Sequence, residues 1–259
     1  MRANDEKPRI AAFFDVDGTI VRPPSLERRL FARLRWQKKI PAKNYFLWLA
    51  HSARLIPKGV AMIQHGNKMY LRGVAADEAN RTETYSLGQR RVDVPFCPAA
   101  FRRMTWHAGR GHAIVLVTGT LASLANSLAR ELEERLAGSG ELIPIEVLAT
   151  TLEEIDGRWS GRIVGDAMFG EAKVRAMRRM AQERGLDLQH CYAYGDSASD
   201  RWMLHVVGRP AAVNPSADLE QIALRRGWPV FWWREQTRRS PHSSPRSQRR
   251  AEATMGPRG

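Results

Sequence analysis

Two aspartates one residue apart, at the end of an apolar run, are the first residues in this chain that could do chemistry. Ile10 to Phe14 is continuous and apolar, and it ends directly in Asp15-Val16-Asp17-Gly18-Thr19. Burying like charges this close costs several kcal/mol unless a cation or protons intervene. A plain turn is the bland alternative, because Asp-Gly is a common turn pair. Three other places bear on the choice. His112 to Val117 is a second apolar run and ends in Thr118-Gly119-Thr120, where a hydroxyl and a permissive backbone suit a phosphate oxygen. Cys191 to Tyr194 is a third and ends in Gly195-Asp196-Ser197, with Asp200 shortly after. Four carboxylates gathered at one edge fit a hard divalent cation with oxygen ligands. Lys173, near the start of a helical pattern, adds a cation, although most helix lysines are merely solvated.

The elements that must position these residues read as alternating strands and helices. Short continuous apolar runs are the pattern of buried parallel strands, and a fourth such run, Ala211 to Val213, ends in Asn214-Pro215. Between them, Leu121 to Leu136 repeats leucine at 121, 124, 128, 132 and 136, a helical stripe. Ala172 to Arg184 and Ala217 to Arg226 read as helices stopped by Gly185 and Gly227. Val147 to Val164 reads as a hairpin around Asp156-Gly157. The fold class this predicts is α/β, a doubly wound, mostly parallel, Rossmann-like sheet. Polar and glycine residues at the carboxyl ends of its strands would then share the edge where ligands bind.

Residues 25–89 break the rhythm. Leu26, Leu30, Phe31 and Leu34 make one face of a helix whose other face carries Arg28, Arg29, Arg33 and Arg35, and Pro41 is expected to end it. Helix-like sequence continues through Leu71, so a helical cap is expected after the first strand. The expected division is a core of 1–24 and 90–235, a cap of 25–89, and a disordered basic tail of 236–259.

In this order and on these elements, Asp15-x-Asp17-Gly-Thr, Thr118-Gly, Lys173 and Gly195-Asp196-x-x-x-Asp200 resemble the haloacid dehalogenase-like superfamily. The helical segment after the first motif resembles its phosphoserine-phosphatase-like branch. The resemblance covers about residues 9 to 233. It implies a phosphatase in which Asp15 attacks phosphorus, and Asp17 protonates the departing alkoxide and then activates water. It implies Mg2+ held by Asp15, the carbonyl of Asp17 and Asp196, with Asp200 in support. Thr118, Gly119 and Lys173 would grip the phosphoryl group, and Gly18 and Thr19 would shape the loop so that backbone N–H groups approach it. Two departures count against phosphoserine as the substrate. The stretch expected to carry an ammonium-binding glutamate reads Arg22-Pro23-Pro24-Ser25, with Glu27 already on the cap helix, and the fourth motif, Asp196-Ser-Ala-Ser199-Asp200, lacks the asparagine often found there. A small or lipid-linked anionic phosphomonoester is therefore expected.

Composition sets outer bounds. The chain has 259 residues, 43% of them hydrophobic, and a formal net charge of +14. Residues 25–89 hold 12 basic and 4 acidic residues, and residues 234–259 hold 7 and 2, so the remaining body is close to neutral. Basic segments favour anionic partners, such as an acidic membrane surface. Nucleic acid is not the favoured one, and composition leaves the oligomeric state open. Cys97 and Cys191 form neither a disulfide framework nor a zinc spacing, and the first ten residues lack the apolar stretch of a leader, so a cytoplasmic chain is expected. The histidines show no ligand spacing, and Trp228, Trp232 and Trp233 read as packing residues. A non-catalytic binding protein is the rival reading, but it has no need of Asp15, Asp17, Lys173 and Asp196 together.

Overall fold

A computed structural model describes residues 9–79, 96–137 and 142–233. The end of the expected cap (80–89) and the expected tail (236–259) lie outside them.

Seven strands form one sheet in the order β4-β3-β2-β1-β5-β6-β7. Their ranges are β1 Ala11–Phe14, β2 Ala113–Leu121, β3 Ile145–Ile155, β4 Arg158–Val164, β5 Tyr192–Gly195, β6 Arg209–Val213 and β7 Val230–Phe231. Only the edge strand β4 is antiparallel, joined to β3 by the hairpin. Its turn residues, Asp156 (φ 50°) and Gly157 (φ 71°), both take the positive φ that a tight two-residue hairpin requires. Strand β1 shows why the central strands read as unbroken apolar runs. Ala12 and Phe14 join the core on one face, with Ile114 and Leu116, while Ala11 and Phe13 join the core on the other, with Val115 and Val117. Both faces are covered, so both side-chain parities must be apolar.

Helices α4 (Pro98–Ala108) and α5 (Ala122–Ala137) belong to the first core, through Ala100, Met104, Leu124, Leu128 and Leu132. Helices α6 (Glu171–Arg184), α7 (Arg201–His205) and α8 (Ala217–Arg226) belong to the second, through Met177, Met203 and Leu219. Gly185 and Gly227 close α6 and α8 in left-handed conformations, as their spacing predicts. Of the three late tryptophans, Trp233 is buried beside Tyr194, whereas Trp232 is exposed.

Between β1 and β2 lie α1 (Leu26–Trp36), α2 (Lys43–Leu55) and α3 (Val60–Gly66), with short 3-10 turns at Ile56–Lys58, Met69–Leu71 and Ala76–Glu78. Two local expectations are corrected. Helix α1 stops at Trp36, ahead of Pro41, because Gln37 caps it and Lys38 turns the chain at φ 53°. Leu121 ends β2 instead of starting α5, since its pairing with Thr150 continues the sheet after a register shift. Two of the arginines of α1 also make contacts within the fold. Arg29 donates to the carbonyls of Pro24 and Arg22, and Arg33 pairs with the buried Glu78.

Candidate active site

Three neighbouring parallel strands, β2, β1 and β5, end at one edge, and the expected chemistry-bearing residues stand there. The Asp15 N–H donates to the Tyr194 carbonyl at 2.8 Å, tying the end of β1 to β5. Helix α6 brings Lys173 to the same point, where its Nζ lies 2.6 Å from Asp15 Oδ1 and 2.7 Å from Asp200 Oδ1. All three groups are buried. Ser197 gives both its N–H and its hydroxyl to Asp200 Oδ2, at 3.0 and 2.7 Å, so that carboxylate is held on both oxygens. Gly195 is required for this close packing, because a Cβ there would stand 2.6 Å from Asp200 Cβ.

Asp15, Asp196 and Asp200 each present a carboxylate oxygen within 4.8 Å of the others. Three carboxylates against a single ammonium leave an excess of negative charge. Burial, reinforced by the charges of Asp200 and Asp196, pushes the Asp15 carboxyl well above its ordinary range, against the pull of Lys173. Burial also opposes ionisation of Asp200, but the Lys173 ammonium and the Ser197 hydrogen bonds outweigh it and hold Asp200 below its usual range. Lys173 is raised, since its two carboxylates outweigh the cost of burying its charge. Hard oxygen donors with surplus negative charge are the donor set that suits Mg2+, so the residues present fit that ion.

Asp17 stands beside this cluster. Its Oδ2 accepts from the Thr120 hydroxyl at 2.5 Å and its Oδ1 from the Leu26 N–H at 2.8 Å. Burial raises its carboxyl above the ordinary value, and the two hydrogen bonds partly offset that rise. Thr120 was legible only as the residue after Thr118-Gly119, and the geometry makes it the partner of Asp17. Thr118 is buried at the cavity wall and its Oγ1 accepts from the Thr120 N–H at 3.1 Å.

A cavity of about 710 Å3 opens over these groups, lined by Asp15, Asp17, Thr118, Gly119, Lys173 and Asp196 on the sheet side. Gly18 and Thr19 are not part of its wall. The Gly18 N–H goes to the Val21 carbonyl at 2.8 Å, Asn214 grips the Gly18 carbonyl at 3.1 Å, and Thr19 is fully buried. The opposite wall comes from the helical segment. There Phe31, Tyr45 and Trp48 line the cavity, as does Phe169, which stacks on His65 with ring centroids 4.9 Å apart. Beside them Glu27 takes two contacts of 2.6 Å from the buried Lys68 and a hydrogen bond from the Tyr70 hydroxyl. Sequence reasoning missed this aromatic wall and the Lys68–Glu27 pair, since nothing in their spacing marks them.

Known proteins resemble this chain. Residues 12–205 match the model of the haloacid dehalogenase-like hydrolase family. Phosphoserine phosphatase SerB1 of Mycobacterium tuberculosis is 32% identical over 244 residues, spanning 88% of this chain and 73% of its own. A crystal structure of a Bordetella pertussis protein of unknown function superposes with a TM-score of 0.63 at 26% identity, covering 87% of this chain and 99% of that one. A phosphoserine phosphatase solved as a phospho-aspartyl intermediate analogue shares the fold, with a TM-score of 0.53 at 15% identity over 88% of this chain and 95% of its own. With a family match over most of its length, the chain belongs to the haloacid dehalogenase-like hydrolases and is a phosphatase among them.

Proposed function

We propose that the protein hydrolyses a phosphomonoester through an aspartyl-phosphate on Asp15, with Mg2+ as cofactor. The observation that carries this reading is Lys173 bridging Asp15 and Asp200, with Asp196 alongside, at the floor of the cavity. Asp15 attacks phosphorus; its Oδ–P bond forms as the bond from phosphorus to the leaving alkoxide breaks. Asp17, held protonated more readily by burial, gives that alkoxide a proton. The resulting carboxylate then takes a proton from water, whose oxygen attacks phosphorus, releases phosphate and restores Asp15. Lys173 and Thr118 steady the phosphoryl oxygens. Asp15, Asp196 and the Asp17 carbonyl would hold Mg2+, with Asp200 in support. When bound, that ion offsets the repulsion between carboxylate and phosphate. Gly119 permits close approach, and Gly18 and Thr19 act through the loop's shape.

Residues 25–89 serve as a cap over a core of 1–24 and 90–235, a division supported by the cavity wall that α1, α2 and α3 provide. A cavity this large and aromatic suits a phosphomonoester with a bulky apolar group better than phosphoserine. Glu27, the carboxylate best placed to receive a substrate ammonium, is already engaged by Lys68 and Tyr70. The test is a panel of an aryl phosphate, phosphoserine and a lysophosphatidic acid, assayed with Mg2+ and with chelator. Turnover should require Mg2+ and fall about a thousandfold or more in Asp15→Asn. Substantial activity in that variant would remove Asp15 as the nucleophile, and a preference for phosphoserine would overturn the substrate class.

A further inference from the structure

Helix α2 is folded inside out. Its buried residues are Asn44, Ser52 and Leu55, and two of these three are polar. Asn44 donates to the carbonyls of Tyr70 and Arg72 at 3.0 and 2.7 Å, and Ser52 accepts from Asn67 at 2.8 Å. The inward face is thus anchored by hydrogen bonds. The outward face carries Phe46 (75% exposed), Leu49 (63%), Ile56 (65%) and Val60 (70%). Phe46 and Leu49, three residues apart, share one side of α2, and Ile56 in the turn and Val60 at the start of α3 continue the exposed apolar surface along the chain. A water-soluble helix would show the reverse pattern, so this face calls for a partner.

Charge identifies the partner. Between Arg28 and Ala76 the chain has 11 basic residues and no acidic one; Arg33, Lys39 and Lys68 are paired with Glu78 or Glu27, and Lys43 and Arg54 are among the remaining eight. Lys43 precedes Phe46 by one turn and Arg54 follows Leu49 by five residues, and both are exposed at the border of the apolar surface. A second copy of the chain would set these cations against their own kind, whereas an anionic surface neutralises them. An apolar surface bordered by lysine and arginine is the pattern of a helix lying in the plane of a bilayer. Helix α2, at 13 residues, is too short to cross one, and no helix among the described residues is long and apolar enough to do so.

We infer that the outer face of α2 and its following turn docks on an anionic phospholipid bilayer. The inference stands on this face alone and does not require the proposed chemistry. Resting on that chemistry is one consequence: Tyr45 and Trp48, on the same helix, line the cavity, so docking brings the cavity beside a lipid-borne phosphomonoester.

The test is co-sedimentation of the full chain with phosphatidylcholine vesicles, with and without phosphatidylglycerol, across a salt series. Binding should need the anionic lipid and weaken steeply as salt rises. Each basic side chain near such a surface is worth about fivefold in partitioning, so Lys43→Gln with Arg54→Gln should lower it by up to about 25-fold. The triple change Phe46→Ser, Leu49→Ser, Ile56→Ser should lower it about tenfold or more. Both variants should keep the parent's melting temperature and its turnover of a soluble aryl phosphate. Absence of binding to anionic vesicles at low salt would overturn the inference. So would binding that both variants retain, or self-association that the triple variant abolishes in a chain that ignores vesicles. Loss of aryl phosphate turnover in the parent would count against the phosphatase mechanism and not against docking.

Discussion

Replacing Lys173 by methionine should cost both stability and turnover, and the loss of stability should depend on metal and pH in a defined way. The ammonium lies 2.6 and 2.7 Å from two carboxylates and its side chain is 3% exposed. Deleting one partner of a buried ion pair costs about 3–5 kcal/mol. Part of that cost is recoverable, because Asp15, already raised by burial and by its neighbours, can take up a proton once the ammonium is gone. The deficit at pH 8 in chelator should therefore sit near the lower bound, about 3 kcal/mol, or roughly 6–12 °C for a chain of this size. Lys173 itself stays charged from pH 5.5 to 8, because its carboxylates raise it, so the pH dependence in that window belongs to the carboxylates. As pH falls, the carboxylates left without the ammonium in the variant take up protons more readily than those of the parent, and the deficit should shrink. Excess Mg2+ at the three carboxylates should shrink it as well. The assay is thermal unfolding of parent and Lys173→Met at pH 8 and pH 5.5, each with chelator and with Mg2+. Turnover of an aryl phosphate should fall about 100- to 1,000-fold. A variant melting within about 1 °C of the parent at pH 8 in chelator, or a deficit that grows on acidification, would refute the reasoning.

Two further perturbations separate the site from its scaffold. Thr120→Val removes a hydrogen bond that lowers the Asp17 carboxyl, so that carboxyl should rise further. Protonation of the leaving group needs the acid form of Asp17, so the alkaline limb of kcat/KM should move to higher pH, with about a tenfold loss in rate; an unmoved limb would deny Asp17 the acid's role. On the apolar side of the fold, His107 is wedged between the Tyr194 hydroxyl and His112, each at 2.9 Å, and burial lowers it to about 2. Its neutral form is the native one, so its contribution is complete above the ordinary histidine value and declines as pH falls from there towards 2. Between pH 7.5 and 5 this should remove about 2 kcal/mol of stability. Denaturant unfolding of parent and His107→Gln across that range measures it, and identical slopes would show that His107 does not titrate on unfolding.

What was legible in the sequence was whatever local chemistry dictates. Strands buried on both faces must be apolar at every position, so β1, β2 and β5 stood out, and the polar residues ending them marked one edge. The Asp156-Gly157 turn and the glycines closing α6 and α8 were equally plain, because a positive φ narrows the choice of residue. The carboxylates could be gathered in advance because parallel strands deliver their ends to the same side, whereas Lys173, on a helix, joined them only through the family resemblance.

Other features depend on which residues meet across the fold, and no spacing reports that. Thr120 is a hydroxyl among many until β2 extends past Thr118 and places it 2.5 Å from Asp17. Lys68 reads as a solvated lysine until Glu27, 41 residues earlier, receives it in a buried pair. Gly18 and Thr19 sit inside the first motif, yet neither lines the cavity, and Gly18 is bonded to Val21 and Asn214. The clearest case is α2. Its apolar residues invite the expectation of a packed face, yet Asn44 and Ser52 find hydrogen-bond partners inward and turn Phe46 and Leu49 to the outside. Periodicity shows that a helix has two faces; which face turns inward is decided by the partners that the rest of the chain brings to it.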